Sequence, residues 1–150
     1  MSDPTYLDWP FFEDRHRAFA DKLDAWVSAE IAPLEAGADH HTDEGLDDAC
    51  AEILQALGKG GWLRNAVPVD GPLDVRTLCL TRETLARTSG LADFVFAMQG
   101  LGTGPIVLFG TAEQRRRWLL PVRAGEKIAA FALSEPDAGS DVAALATTAT

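Results

Sequence analysis

The sequence is poor in cysteine and in bases, and each shortage closes off a class of function. Two cysteines in 150 residues, Cys50 and Cys79, stand far apart within helical patterns and form no CxxC pair. That leaves no disulfide framework and no cysteine-based zinc site. Both read as small buried hydrophobes, and the setting they suit is a reducing one, the cytoplasm. Lysine and arginine number 13 against 23 acids, so the formal net charge is −10. A chain of that balance has no basic face for nucleic acid phosphates. No uninterrupted apolar run is long enough to cross a bilayer. The opening Met-Ser-Asp-Pro is polar and acidic, unlike a secretory leader. There is no internal repeat and no low-complexity tract.

What is present is ordinary globular material, 47% apolar and 24% charged, in a chain long enough for one real core. The charge is uneven. Residues 1–52 carry 14 acids against Arg15, Arg17 and Lys22, about −11, while the rest holds 9 acids and 10 bases. The acidic front end reads as a solvated surface that aids solubility.

Apolar spacing predicts a mainly α chain. A first helix is expected from about Asp8 to Ile31, with Phe12, Phe19, Leu23, Trp26, Val27 and Ile31 on one face and Pro33 as its stop. A polar loop follows. His40 and His41 beside Asp43 and Glu44 are adjacent residues that point apart, with no ligand pair at i, i+4, so no metal site is assigned. A second helix is expected over about Leu46–Leu57, ended by Gly58, Gly60 and Gly61, with Trp62 and Leu63 packing down after it. A third is expected over about Asp74–Thr88, with Val75, Leu78, Cys79, Arg82, Leu85 and Ala86 tracing its inner face. A fourth runs from about Leu91 toward Leu101, with Phe94, Ala97, Met98 and Leu101 on one side. Those four are either core or the lining of a pocket.

The glycines at 100, 102 and 104 do not have dinucleotide-loop spacing, follow no strand and precede Pro105. Close helix packing or a helix break is the expectation. Thr111 with Gln114 three residues on predicts a capping box opening a fifth helix, in which Trp118, Leu119 and Val122 face inward. Arg115, Arg116 and Arg117 fan around that helix as a basic surface. The helical part is expected to span residues 1–125, and residues 126–150 to begin a β domain. Val142–Thr150 is small and apolar with rising β propensity.

The most informative stretch is Phe131-Ala132-Leu133-Ser134-Glu135-Pro136-Asp137-Ala138-Gly139-Ser140-Asp141. An apolar strand, Ile128–Leu133, is expected to run into a polar turn at Pro136, which has no donor for a ladder. Gly139 allows either a positive φ or the close approach of a ligand. Small residues and free amides in one turn make a phosphate nest, or else an ordinary strand-ending loop capped by Asp141.

The order Phe-Ala-Leu-Ser-Glu-Pro-x-Ala-Gly-Ser-Asp resembles the flavin-binding signature of the acyl-CoA dehydrogenases. The preceding run from Gln99 to Gly110, then Thr111 to Trp118, is similar to that family's helix, turn and helix. The resemblance implies an N-terminal helical bundle followed by the first strand or strands of the middle β domain. It implies FAD as cofactor, an acyl thioester such as acyl-CoA as substrate, an electron-transfer partner, and a homodimer or homotetramer. The implied reaction is α,β-dehydrogenation: a carboxylate takes the α proton while the β hydride passes to the flavin. By matching position, Phe131 flanks the flavin ring, Leu133 (through its backbone) and Ser134 bond its polar edge, and Gly139 and Ser140 approach the pyrophosphate. Ser140 also reaches the CoA arm. Phe94, Ala97 and Leu101 line the acyl pocket. Glu135, Pro136 and Asp141 hold the turn. Two departures stand out: Ser134 replaces a more frequent threonine, and the acidic Asp137 stands where a small neutral residue is frequent. The family's catalytic base falls outside this chain. Two other readings share these residues. One is a non-catalytic helical interaction or complementing module, with an exposed edge at Ile128–Leu133. The other is an acyl-CoA oxidase-like or monooxygenase-like flavoenzyme.

Overall fold

The computed structural model describes residues 4–148. Helix starts are set by side chains that take up the free donors of a first turn. The Glu13 amide donates to His16 Nδ1 where α1 (Asp14–Trp26) opens. This helix does not stop at Pro33. It widens into one π turn, Val27–Ile31, and continues as α2 (Ala32–Gly37). The reason is the proline itself. Pro33 has no N–H and its ring crowds the carbonyl one turn back, and a wider turn relieves both. The Ala32 amide accordingly reaches back to the carbonyl of Val27.

Thr42 accepts from the Gly45 amide and opens α3 (Asp43–Lys59), which ends at Gly60 and the left-handed Gly61. Asp74 accepts from the Arg76 and Thr77 amides and opens α4 (Val75–Thr88). Burial alone would raise the Asp74 pKa. The Arg15 guanidinium and the Thr77 hydroxyl and amide outweigh it and hold the carboxylate well below its usual range. Ser89 closes α4 and caps α5 (Gly90–Phe109) by accepting from the Ala92 amide. The Thr111–Gln114 capping box forms as expected and opens α6 (Ala112–Gln114). A second π turn, Arg115–Leu119, precedes Pro121 and leads into α7 (Leu120–Arg123).

The core sits where α1, α3, α4 and α5 meet. Leu23, Val27, Ile31, Ile53, Leu57, Leu63, Leu85 and Phe96 are fully buried within it. Trp62 and Leu63 pack down after α3, as their place behind three glycines predicts. Several expectations fail on facing. Val75, Cys79, Arg82 and Ala86 are exposed, and α4 buries Leu80, Thr81 and Thr84 beside the expected Leu85. Threonine is tolerated inside because Thr81 Oγ1 donates to the Thr77 carbonyl, so burial leaves no free hydroxyl. Trp118 lies outside, with Arg117 and Lys127 over its ring, while Leu119 and Val122 face inward.

By length and composition α5 is apolar enough to cross a bilayer, although Asp93 and Gln99 interrupt its apolar run. In this fold α5 buries Ala92, Val95, Phe96, Gln99 and Thr103, and Asp93 pairs with Arg82.

No strand forms among the described residues. Residues 128–134 have no regular secondary structure, and the one bridge among the described residues is Glu135 with Ala138 across a turn. A strand needs another strand to accept its donors, and the neighbour of this segment is the helix α5. Val142–Ala144 is a single 3-10 turn, and residues 149–150 of the expected β segment lie outside the described range.

Candidate functional site

The signature segment is held against α5 by two devices. Gln99 is buried within the helix. Its Nε2 donates to the Val95 carbonyl at 3.0 Å, and its Oε1 accepts the Ala129 amide at 2.8 Å. One turn on, Gly102 lets the chain pass close: a Cβ there would stand 2.7 Å from the Ala130 carbonyl oxygen. The glycine-rich run therefore serves close packing, and α5 does not break at Pro105. Sequence reasoning missed Gln99. The available signal was a long amide at a position where the helix otherwise buries apolar groups.

Gln99→Leu is expected to leave the Ala129 amide without a partner and to free the segment. An unmet buried donor costs about 1–3 kcal/mol. Amide exchange at Ala129 should speed up, while α3 and α4 stay protected. Unchanged exchange there would show that packing at Gly102 holds the segment alone.

From that anchor the chain runs outward. Phe131 is 48% exposed and Leu133 39%. Ser134, Gly139 and Ser140 are also exposed. Ser134 and Ser140, with the amides of Leu133 and Gly139, have no hydrogen-bond partner among the described residues. Gly139 does not take a positive φ, and a Cβ built on it meets nothing of this chain within 4 Å.

The turn is stiffened from within. Glu135 and Ala138 exchange backbone bonds of 2.8 and 3.2 Å, with Pro136 at the second position, where a fixed φ suits a β-turn. The Glu135 carboxylate accepts the Ala146 and Thr147 amides at 2.8 and 3.0 Å. These bonds, the one from Ala146 foremost, hold its pKa below the usual glutamate range. Because the folded pKa is depressed, the clamp is complete above the ordinary glutamate pKa. It is lost as pH falls through the lowered value. Asp141 accepts the Ala143 amide at 3.2 Å. Glu135, Pro136 and Asp141 thus all shape the turn.

Beside the anchor is a groove of about 460 Å³ between α3, α5 and residues 128–130, lined by Cys50, Leu54, Phe94, Met98 and Ile128, with Asp47 at its edge. Burial, and then the Asp47 charge, push the Cys50 thiol up, so it stays protonated. Phe94 borders this groove but is 57% exposed. Ala97 is half-buried on the outer side of α5, and Leu101 is 52% exposed. Phe94, Ala97 and Leu101 therefore share an outward face of α5, and no described element closes over them.

The family described as acyl-CoA dehydrogenase, N-terminal domain, matches residues 13–126. A probable acyl-CoA dehydrogenase of Bacillus subtilis is 32% identical over 92% of this chain and 23% of its own length. A 3-(aryl)acrylate reductase of Clostridium sporogenes is 33% identical over 93% of this chain and 37% of its own. The caffeyl-CoA reductase-Etf complex subunit CarC of Acetobacterium woodii is 37% identical over 65% of this chain and 27% of its own. The chain thus spans well under half the length of each of these relatives. The matched residues are those that build the bundle and carry the anchor of the signature segment, and on that match the chain belongs to the acyl-CoA dehydrogenase family.

Proposed function

We propose that residues 131–140 form one wall of an FAD site in an enzyme that moves a hydride between flavin and the β carbon of an acyl thioester. The observation that carries this reading is a set of exposed donors with no partner, on a turn pinned to a rigid helix. The Leu133 amide and the Ser134 hydroxyl suit the polar edge of a flavin ring. The Gly139 amide and the amide and hydroxyl of Ser140 suit a diphosphate. This donor set fits the cofactor: neutral donors for the ring, and small residues where phosphate comes closest. Phe131 offers an aromatic edge to the ring. The negative Asp137 is compatible if its carboxylate stays on the solvent side of the turn.

The outward face of Phe94, Ala97 and Leu101 is the proposed wall for the acyl chain, and Ser140 the proposed contact for the CoA arm. When bound, flavin accepts or returns the hydride. The residues of this chain bind, orient and keep water away. The proton-transferring carboxylate is assigned to no residue here. The reductase names of two relatives leave both directions of transfer within the proposal. The Etf complex named for one relative supports an electron-transfer partner. A homodimer or homotetramer in the cytoplasm completes the reading. An oxidase-like or monooxygenase-like enzyme of the same superfamily would use the same wall, and an interaction module would leave its donors unused.

The 150-residue chain on its own is expected to bind FAD weakly or not at all. One wall supplies a few exposed hydrogen bonds, and most cofactor sites bury the greater part of their ligand. Fluorescence titration of the purified chain with FAD checks this. Tight stoichiometric binding would mean the site lies within the bundle and not on the 131–140 turn.

A further inference from the structure

The arginines of this chain fall into two groups. Arg15, Arg17, Arg76, Arg82 and Arg87 each lie within 4 Å of a carboxylate. Arg64, Arg115, Arg116, Arg117 and Arg123 are in no such pair among the described residues, in a chain with ten more acids than bases. Three of these five, Arg64, Arg116 and Arg123, come from separate places in the sequence, yet they line one cavity of about 650 Å³. Its floor is the contact between the end of α3 and the end of α7. There a Cβ at Gly58 would stand 2.3 Å from the Ala124 carbonyl oxygen, so the backbones touch.

The cavity is shaped from below as well as charged. Arg64 folds back over Gly61, donating from Nε to the Gly61 carbonyl at 2.6 Å. Gly61 has φ +74°, and a Cβ there would meet the Arg64 guanidinium. A side chain at 61 would push that arginine out of place. Arg116 and Arg123 make no hydrogen bond to any described residue, and Arg123 is half-buried. Glu126 also lines the cavity but lies beyond 4 Å of all three guanidiniums. Leu120, Pro121 and Ala124 supply an apolar wall.

Gathering three like charges is unfavourable unless something of opposite sign sits among them. Guanidinium forks match the oxygens of phosphate in pairs. A concave site of this size suits a small ligand more than a flat protein contact. We propose that the cavity lined by Arg64, Arg116 and Arg123 binds a diphosphate-bearing small molecule, at a site separate from the signature turn. Three guanidiniums against the one Glu126 carboxylate leave the cavity with excess positive charge for a diphosphate, and the apolar wall takes whatever the diphosphate is attached to.

The test is calorimetric titration of the purified chain with inorganic pyrophosphate and with ADP. Both are expected to bind saturably at one site, with ADP tighter if the apolar wall is used and equal if only the diphosphate is held. Arg64→Gln with Arg123→Gln should weaken binding at least tenfold. Arg116→Gln alone, which removes no internal bond, should weaken it several-fold with unchanged circular dichroism. Arg117→Gln, whose side chain lies over Trp118 outside the cavity, should leave it unchanged. The proposal is overturned by no binding of either probe at millimolar concentration, or by equal losses in Arg117→Gln and Arg116→Gln. Binding to anionic phosphatidylserine vesicles without binding to pyrophosphate would overturn it too.

Discussion

Phe96→Ala should destabilise the chain by about 3–5 kcal/mol, the range for emptying a phenylalanine site in a core. Phe96 is fully buried, and it belongs to the cluster that joins α5 to α1, α3 and α4. Domains of this size are stable by roughly 5–15 kcal/mol in all. The loss would therefore leave a substantial unfolded population at physiological temperature. Phe94 is the internal control. It is the same residue type two positions away and lies mostly in solvent. Phe94→Ala should change stability by no more than about 0.5 kcal/mol. Urea unfolding followed by circular dichroism measures both. Equal effects at the two positions would mean that α5 is rotated from the orientation described.

The second large effect is on cofactor retention. In the flavin-loaded protein, Ser140→Ala removes a hydroxyl donor to a charged group, worth about 1.5–3 kcal/mol. At about 1.4 kcal/mol per decade, FAD retention should weaken by roughly one to two orders of magnitude. Ser140 is exposed and bonds to nothing else described, so the fold should not suffer. Flavin content after extended dialysis reads the effect. Retention equal to that of the unaltered protein would remove Ser140 from the site.

Much of the bundle was legible in the sequence because local chemistry and tertiary packing agree there. Thr111 opens a helix through the capping box that its spacing predicts, while Thr42, Asp74 and Ser89 cap helices whose starts apolar spacing placed within a few residues. Facing went wrong in α4 and at Trp118, where apolar spacing was taken for burial although Val75, Cys79, Ala86 and Trp118 lie outside. Thr81 can be inside because its hydroxyl bonds its own helix backbone. Pro33 misled because a proline stops a regular helix but not one that widens by a residue ahead of it. The strand over Ile128–Leu133 was read from composition, and composition cannot supply the neighbour that turns an extended segment into a ladder.

The candidate site divides the same way. The motif located the turn, and the structure adds what holds it. Neither the Gln99 bond to the Ala129 amide nor the Glu135 clamp on Ala146 and Thr147 has a local signature, because each joins residues more than ten positions apart. Phe94, Ala97 and Leu101 share a face as their spacing requires, yet spacing does not say what covers that face. The Arg64, Arg116 and Arg123 cavity was invisible for the same reason. Only the consecutive arginines at 115–117 stood out in the sequence, and one of those three lines it together with two distant ones.

The central claim is that this bundle and its 131–140 turn serve a flavin enzyme acting on acyl thioesters. Anaerobic addition of a saturated acyl-CoA to the protein purified in the form its gene encodes tests it most directly, with flavin absorbance as the readout. The account predicts that flavin copurifies and is bleached on mixing, and that it is retained poorly in Ser140→Ala. Protein that carries no flavin, or flavin that no acyl-CoA reduces and no enoyl-CoA reoxidises, would contradict it.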